Sequence, residues 1–485
     1  MNGLERIVIE NGAQRGPSSV GIGAEFMYDT IIIGAGMSGL AAGIRLAHYD
    51  QRVCVLEKHW AVGGLNSFYR QGGRSYDVGL HAMTNFTPKG TRKGPLARLL
   101  RQLRFSWDDF SLAPQIGSTI AFPGIQLDFS NDFRLFEEEA ARHFPKQVDG
   151  LRSMVGELVD YNDLGLGTTS GSAREFVSQH ITDPLLVEMI FCPLLFYGGA
   201  RERDMEFGQF CIMFRSIFLE GFARPLAGVR LILKRLVRKF KDVGGELRLK
   251  SGVDRIETND NGHAECVILE DGTELTAKNV LSSAGWRETM RLCRAPDEHN
   301  ESPAGQLSFI ETISVLDREP KTFGHDRTIV FFNDSDKFCY EKPDSLIDVR
   351  SGVICSPNNF VYDDPLGESM IRITTLANYD HWNALDERQY QLAKFAAYDQ
   401  TLESAVRFTP DFRNYVIDTD MFTPTTIQRF TGHENGAVYG APDKRYDGTT
   451  HLDNVFVCGT DQGMLGIIGS IVSGITIANR HLFTT

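Results

Sequence analysis

The chain of 485 residues lacks several things, and each lack removes a class of function. Its cysteines, Cys54, Cys192, Cys211, Cys266, Cys293, Cys339, Cys355 and Cys458, form no Cys-x-x-Cys pair. Zinc-site spacing is therefore absent and no metal is expected; the thiols read as single buried groups of a reducing compartment. No uninterrupted run of about 18 apolar residues exists, so no membrane-spanning helix is expected. No charged stretch followed by an apolar one opens the chain, so residues 1–27 read as a polar, glycine-rich leader and not a signal peptide. That makes the expected location cytoplasmic. Positive charge is not in excess: 50 Lys and Arg stand against 63 Asp and Glu, a net charge of −13. A nucleic-acid partner would ask for a basic face. No Gly-x-Ser-x-Gly elbow or paired-carboxylate motif marks a hydrolase.

The most informative stretch present is YDTIIIGAGMSGLAAGIRLAHYDQRVCVLEK, from Tyr28. It reads as strand, tight turn, helix and strand, with the second strand ending on Glu57. Gly34 permits the turn. Gly36 lets a pyrophosphate approach the backbone, and Gly39 lets helix and strand pack closely. The helix N-terminus, with Ser38 in its first turn, then holds the phosphates. Glu57, with Lys58 beside it, stands where a carboxylate binds ribose hydroxyls. The spacing predicts a Rossmann-type dinucleotide site. At 485 residues, two or three folding units are expected.

The next segment, VGGLNSFYRQGGRSYDVGLHAM, resembles the flavoproteins with a two-dinucleotide-binding-domain motif, through Gly63, Gly64, Gly73, Tyr76, Asp77 and Gly79. The resemblance implies non-covalent FAD, with Gly63, Gly64, Leu65 and Asn66 among its contacts. In that family a small β-meander lies beside the adenine. Gly244 to Gly285 matches it, with Val253 where the backbone meets the adenine amine. VCGTDQGMLGIIGSIVSG, from Val457, resembles the late strand–turn–helix that closes the FAD site. Gly459 and Asp461 would then meet the ribityl or pyrophosphate region, and the helix end at Ile467 and Ile468 the flavin pyrimidine. Relatives often carry Gly-Asp directly, whereas Thr460 intervenes here.

Within the amine-oxidase superfamily, three segments resemble bacterial-type phytoene desaturases, carotenoid isomerases and retinol saturases. They are GLHAMTNF, ITTLANYDHWNALDERQYQLAK and TPTTIQRFTGHENGAVYGAP. The fold implied is α/β, a Rossmann-type FAD-binding domain with a second, discontinuous α+β substrate domain. Residues 28–104, 225–294 and 424–485 would form the first, and 105–224 and 295–423 the second. The reaction implied is desaturation, isomerisation or saturation of C–C double bonds in an apolar isoprenoid. His81 and Tyr439 are the candidate catalytic residues, with His433 and Glu434 nearby; each could equally be structural. MIFCPLLFYGGA and FGQFCIMFRSIFLEGFARPL read as helical core, as a tunnel wall, or as a face that dips into a membrane. Basic residues cluster at Lys89 to Arg104 and Arg230 to Lys241, as a solvated face or a peripheral contact with anionic lipid. An amine-oxidase-like enzyme and a non-catalytic prenyl-binding protein on the same frame are the alternatives.

Overall fold

Five short strands, mostly apolar, lie side by side in one parallel sheet. Their spatial order is Val455–Val457, Ala277–Ser282, Tyr28–Ile33, Val53–Glu57 and Glu246–Leu249. The computed structural model describes residues 27–79, 82–161, 171–295 and 302–483; most of the expected leader and His81 lie outside the described residues. The strands Tyr28–Ile33 and Val53–Glu57 are buried almost throughout. Parallel strands covered on both faces need such continuous apolar runs. One face packs on the helices Met37–Ala47, Val229–Asp242 and Gly466–His481 through Ile32, Val55, Leu281 and Phe456. The other packs on a small antiparallel sheet, Val253–Thr258, Ala264–Leu269 and Glu274–Leu275, through Ile31, Cys54, Ile256 and Val267.

This arrangement corrects one expectation. The region from Gly244 to Gly285 is not a single meander. Glu246–Leu249 and Ala277–Ser282 leave it for the parallel sheet, and only the three strands between them form the antiparallel unit. Their partners, Cys54 and Ile31 among others, lie far away in the chain, so local pattern could not assign them.

A second sheet has seven strands in the order Val416–Phe422, Ser308–Leu316, Ser369–Ala377, Ile347–Cys355, Ile329–Asn333, Ser118–Phe122 and Ile125–Phe129. All neighbours are antiparallel except Ile329–Asn333 with Ser118–Phe122. Its outer face carries Ile354, Ile371 and Ile373 and is covered by the helix Glu387–Ala405. Its inner face carries Phe309, Phe331, Val353, Cys355 and Leu376, packed on the helices Pro184–Gly198 and Phe207–Phe214. Pro184 occupies the first turn and the Asp183 carboxylate caps the amides of Leu185 and Leu186, which fixes where that apolar helix starts. A helix apolar all round has to be buried, and Met189 to Phe196 are. The first Phe- and Met-rich stretch is therefore interior; in the second, Phe210, Phe214, Phe218 and Phe222 are buried and Leu226 is exposed.

Charged residues join the two sheets. Arg372, on the inner face of the second sheet, pairs with Glu311 and donates to the Asp77 carbonyl at 2.9 Å. The Asp77 carboxylate sits 3.0 Å from Arg224 and 3.2 Å from Arg230. Asp77 ends the ribbon Phe68–Gln71 and Arg74–Asp77, which also reaches Asp418 and Asp420 on the edge strand through Arg74 and Tyr69.

Candidate functional site

The first turn is built as the glycine spacing requires. Gly34 has φ of +96°, and a Cβ there would lie 2.5 Å from Ser283 Oγ. A Cβ on Gly39 would lie 2.1 Å from the Gly34 carbonyl, so helix and strand approach as closely as backbone allows. Gly36 differs: a Cβ there would meet nothing within 4 Å. It is the N-cap of Met37–Ala47, which has no side-chain cap and no acid in its first turn. Uncapped amides beside open space are what a diphosphate needs.

Glu57 is buried at the end of its strand. One carboxylate oxygen accepts the Ala35 amide and the other the His59 amide, each at 2.9 Å. Each keeps a lone pair for a ribose hydroxyl. The Gly63 amide donates to the Ala35 carbonyl at 2.9 Å, so the second glycine segment is sewn onto the first turn. Gly64, with φ of +54°, again faces open space, and begins the short turn that holds Leu65 and Asn66. Leu65 closes on Gly79, where a Cβ would lie 2.7 Å from its carbonyl. Val253 begins its strand directly after a loop whose Ser251 amide donates to the Glu57 carbonyl at 2.8 Å. Lys58 points to the surface, 3.1 Å from Glu270.

The late segment joins the same cradle. Gly459, at φ of +94°, lies over Ser38, and its amide donates to Ser473 Oγ at 2.6 Å. Ser38 is thus buried between the first and last helices. Ile467 and Ile468 lie in the first turn of Gly466–His481. That helix start carries no side-chain cap and no acid, and Gly466 is exposed. Its positive end is open to a negatively charged group. Beside it, Met464, Val472, Arg98 and Arg215 line a shallow, solvent-open cleft.

Asp461 does something else than the sequence led one to expect. Its carboxylate accepts the Trp286 amide at 2.6 Å and the Ala441 amide at 2.8 Å, with the Lys444 ammonium at 3.9 Å. Thr460 displaces it by one residue into the turn Thr460–Gln462, and the side chain is buried in protein contacts. Lys444 is buried too and donates to the Tyr439 carbonyl at 2.6 Å. Burial pulls its pKa down to about 8 against the pull of Asp461.

Tyr439 packs against Phe309 at 6.1 Å, and its hydroxyl donates to the Phe196 carbonyl. Burial holds that phenol well above its usual range. Phe196, Phe338 and Tyr340 continue the aromatic wall. Glu434 pairs with Arg287 and Arg291, and His433 lies 4.0 Å from Glu288, so this pair fastens a loop to the helix Trp286–Leu292. Sequence reasoning missed Arg224, Glu311 and Arg372. The available signal was a charge inside an otherwise apolar strand, as in SFIETISVL and SMIRITTLA. Among the described residues, no cluster of His, Cys, Asp or Glu is placed to hold a metal, and no helix is long and apolar enough to cross a membrane.

Residues 32–103 match the family model described as an NAD(P)-binding Rossmann-like domain. The chain therefore carries a dinucleotide-binding fold. It is 24% identical to the chloroplastic prolycopene isomerase of Daucus carota, over 95% of this chain and 81% of that protein. It is 22% identical to the all-trans-retinol 13,14-reductase of Danio rerio, over 94% and 86%. With the neurosporene-forming phytoene desaturase of Rhodobacter capsulatus it shares 29% identity over 56% of each. Among solved structures, an oxidoreductase from Methanosarcina mazei covers 93% of this chain and 99% of its own, with a TM-score of 0.66 at 16% identity. A putrescine oxidase variant reaches 0.59 at 14% identity, covering 93% and 98%. These two likenesses establish a shared two-domain fold.

Proposed function

We propose that this chain is an FAD-dependent oxidoreductase acting on C–C double bonds of an apolar isoprenoid polyene, by desaturation, isomerisation or saturation. The observation that carries this reading is the pairing of two uncapped helix ends, at Gly36 and Gly466, with an aromatic interior under the second sheet. The cradle fits FAD. Amides after Gly36 take the diphosphate, Glu57 a ribose, the Val253 backbone the adenine edge, and the amides of Ile467 and Ile468 the pyrimidine side. When bound, FAD supplies the hydride acceptor or donor. The last helix stabilises negative charge at its N-terminus. The aromatic walls exclude water and align an extended chain. His81, assigned by its place after Gly79, handles the proton; Tyr439, its hydroxyl tied to Phe196, positions the substrate with its ring. Residues 28–104, 225–294 and 424–485 form the FAD-binding domain, and 105–224 with 295–423 the substrate domain.

The test is an absorption spectrum of the purified protein, before and after anaerobic addition of phytoene or retinol. A flavin spectrum that bleaches or shifts is the expected result. A flavin indifferent to polyenes would redirect the search to amines. No flavin after added FAD would leave a lipid-binding protein.

The reading includes a peripheral contact with a membrane from a cytoplasmic location. Lys89, Arg92, Lys93, Arg98, Arg101 and Arg104 occur without an acid among residues 89–104. Arg230, Lys234, Arg235, Arg238, Lys239 and Lys241 occur with Asp242 alone in the helix Val229–Asp242. The two segments adjoin, since Lys239 Nζ donates to the Arg104 carbonyl at 3.1 Å. Arg98 also lines the cleft beside the last helix. A basic surface next to an opening suits collection of an apolar molecule from an anionic bilayer.

A further inference from the structure

Three buried polar atoms under the second sheet have no hydrogen-bond partner among the described residues: Tyr197 Oη, Tyr362 Oη and Arg224 Nε. Buried polar groups are nearly always paired, so each such exception asks for an explanation. The three come from separate elements: the helix Pro184–Gly198, the segment after Phe360, and the strand Ala223–Pro225. They converge. Arg224 and Tyr362 lie against each other, and both lie near Asp77 and Cys355. Tyr197 also lies near Cys355, with its hydroxyl beside the Ala82 amide.

The surroundings are apolar. Phe222 and Phe331 flank the Tyr197 ring at 5.2 and 5.5 Å, and Phe360 flanks Tyr362 at 6.1 Å. Glu311 answers Arg372, but the single carboxylate of Asp77 stands between Arg224 and Arg230. Buried Arg224 thus shares that carboxylate with the partly exposed Arg230, beside hydroxyls able to donate.

We propose that Arg224, Tyr197 and Tyr362 form a polar subsite that binds an acceptor oxygen at the end of the substrate, a carboxylate above all. The inference rests on the polyene reading and narrows it: the substrate is an oxygenated isoprenoid and not a pure hydrocarbon. A hydrocarbon end would leave three donors dry and unpaired, and sites built to hydrogen-bond an oxygen discriminate strongly against analogues that lack it.

The experiment is an equilibrium titration of the FAD-loaded protein with retinoic acid and with the matching hydrocarbon that carries a methyl in place of the carboxylate. The acid is expected to bind at least about tenfold more tightly. The Tyr197→Phe/Tyr362→Phe double variant keeps both rings and removes only unpaired hydroxyls. Its melting temperature should not fall, and the preference should shrink to below about threefold. Equal affinity in the unaltered protein overturns the subsite alone. So does a preference that survives the double variant, or a melting temperature lowered by several degrees, which would mean the hydroxyls are bonded within the fold. No binding of either compound by flavin-loaded protein overturns the subsite and the polyene reading together.

Discussion

Asp461 holds three groups at once, and that decides what its loss would do. Asp461→Ala strips two backbone amides of their acceptor and leaves buried Lys444 without its counter-charge. Removing one partner of a buried pair costs about 3–5 kcal/mol. Urea unfolding of the cofactor-free variant should show that loss. A variant of unchanged stability that merely retains FAD poorly would restore the sequence-based role. A second residue sets an acid limit. His325 is buried, and desolvation lowers its pKa from 6.5 to about 4. The unfolded chain therefore takes up a proton that the folded one refuses as pH falls from 6.5 towards 4. Stability should drop across that window by about 3 kcal/mol. The urea midpoint followed against pH should flatten there in His325→Gln; an equally steep profile in the variant would assign the acid sensitivity elsewhere. Neither role was legible in the sequence. Which amides surround a carboxylate depends on loops joined only by folding, as Trp286 and Ala441 are around Asp461. Arg372 and Glu311 were visible as charges in apolar strands, but each names its partner only when the strands are paired.

The segment from Tyr28 to Glu57 was read correctly because everything it needs is local: apolar run, glycine turn, helix, second run. The glycines of the first turn and of the last helix also separate by function. Gly36 has a φ of −74° and an empty neighbourhood, so Gly36→Ala should leave the cofactor-free fold within about 0.5 kcal/mol of the original. On the proposed reading the methyl stands in the path of the diphosphate, and FAD affinity should fall by at least about tenfold. Calorimetry on the cofactor-free protein and flavin titration would separate the two effects; unaltered affinity would move the diphosphate elsewhere. Gly474 is the reverse case. A Cβ there would lie 2.0 Å from the Ser38 carbonyl, so Gly474→Ala forces the first and last helices apart. Overpacking of this kind costs about 1–3 kcal/mol, readable in a thermal melt with or without flavin. The late strand and helix were legible for the same local reason as the first turn. The flanking strands Glu246–Leu249 and Ala277–Ser282 were not, because a strand carries no mark of which sheet it will enter.

For the whole molecule, a net charge of −13 coexists with two adjoining basic segments, so long-range repulsion from an anionic surface competes with local attraction. Each Lys or Arg near such a surface contributes about 1 kcal/mol, screened by salt. Co-sedimentation with phosphatidylglycerol vesicles should therefore be strong at low ionic strength, weak at high, and absent with phosphatidylcholine. Exchanging Arg92, Lys93, Lys234 and Arg238 for Glu should abolish it; binding that ignores both salt and these exchanges would place the contact on another face. The five-strand sheet has a consequence in time as well. Its middle strand ends at Ile33, and the edge strand beyond Ala277–Ser282 begins at Val455. At synthesis rates of about 5–20 residues per second, some 20–80 s separate the birth of the two. Throughout that interval the nascent chain shows a phosphate-binding turn with no closing wall. On the proposed cofactor reading, the site can take up its ligand only once the last strand and helix, Val455–Val457 and Gly466–His481, have been made.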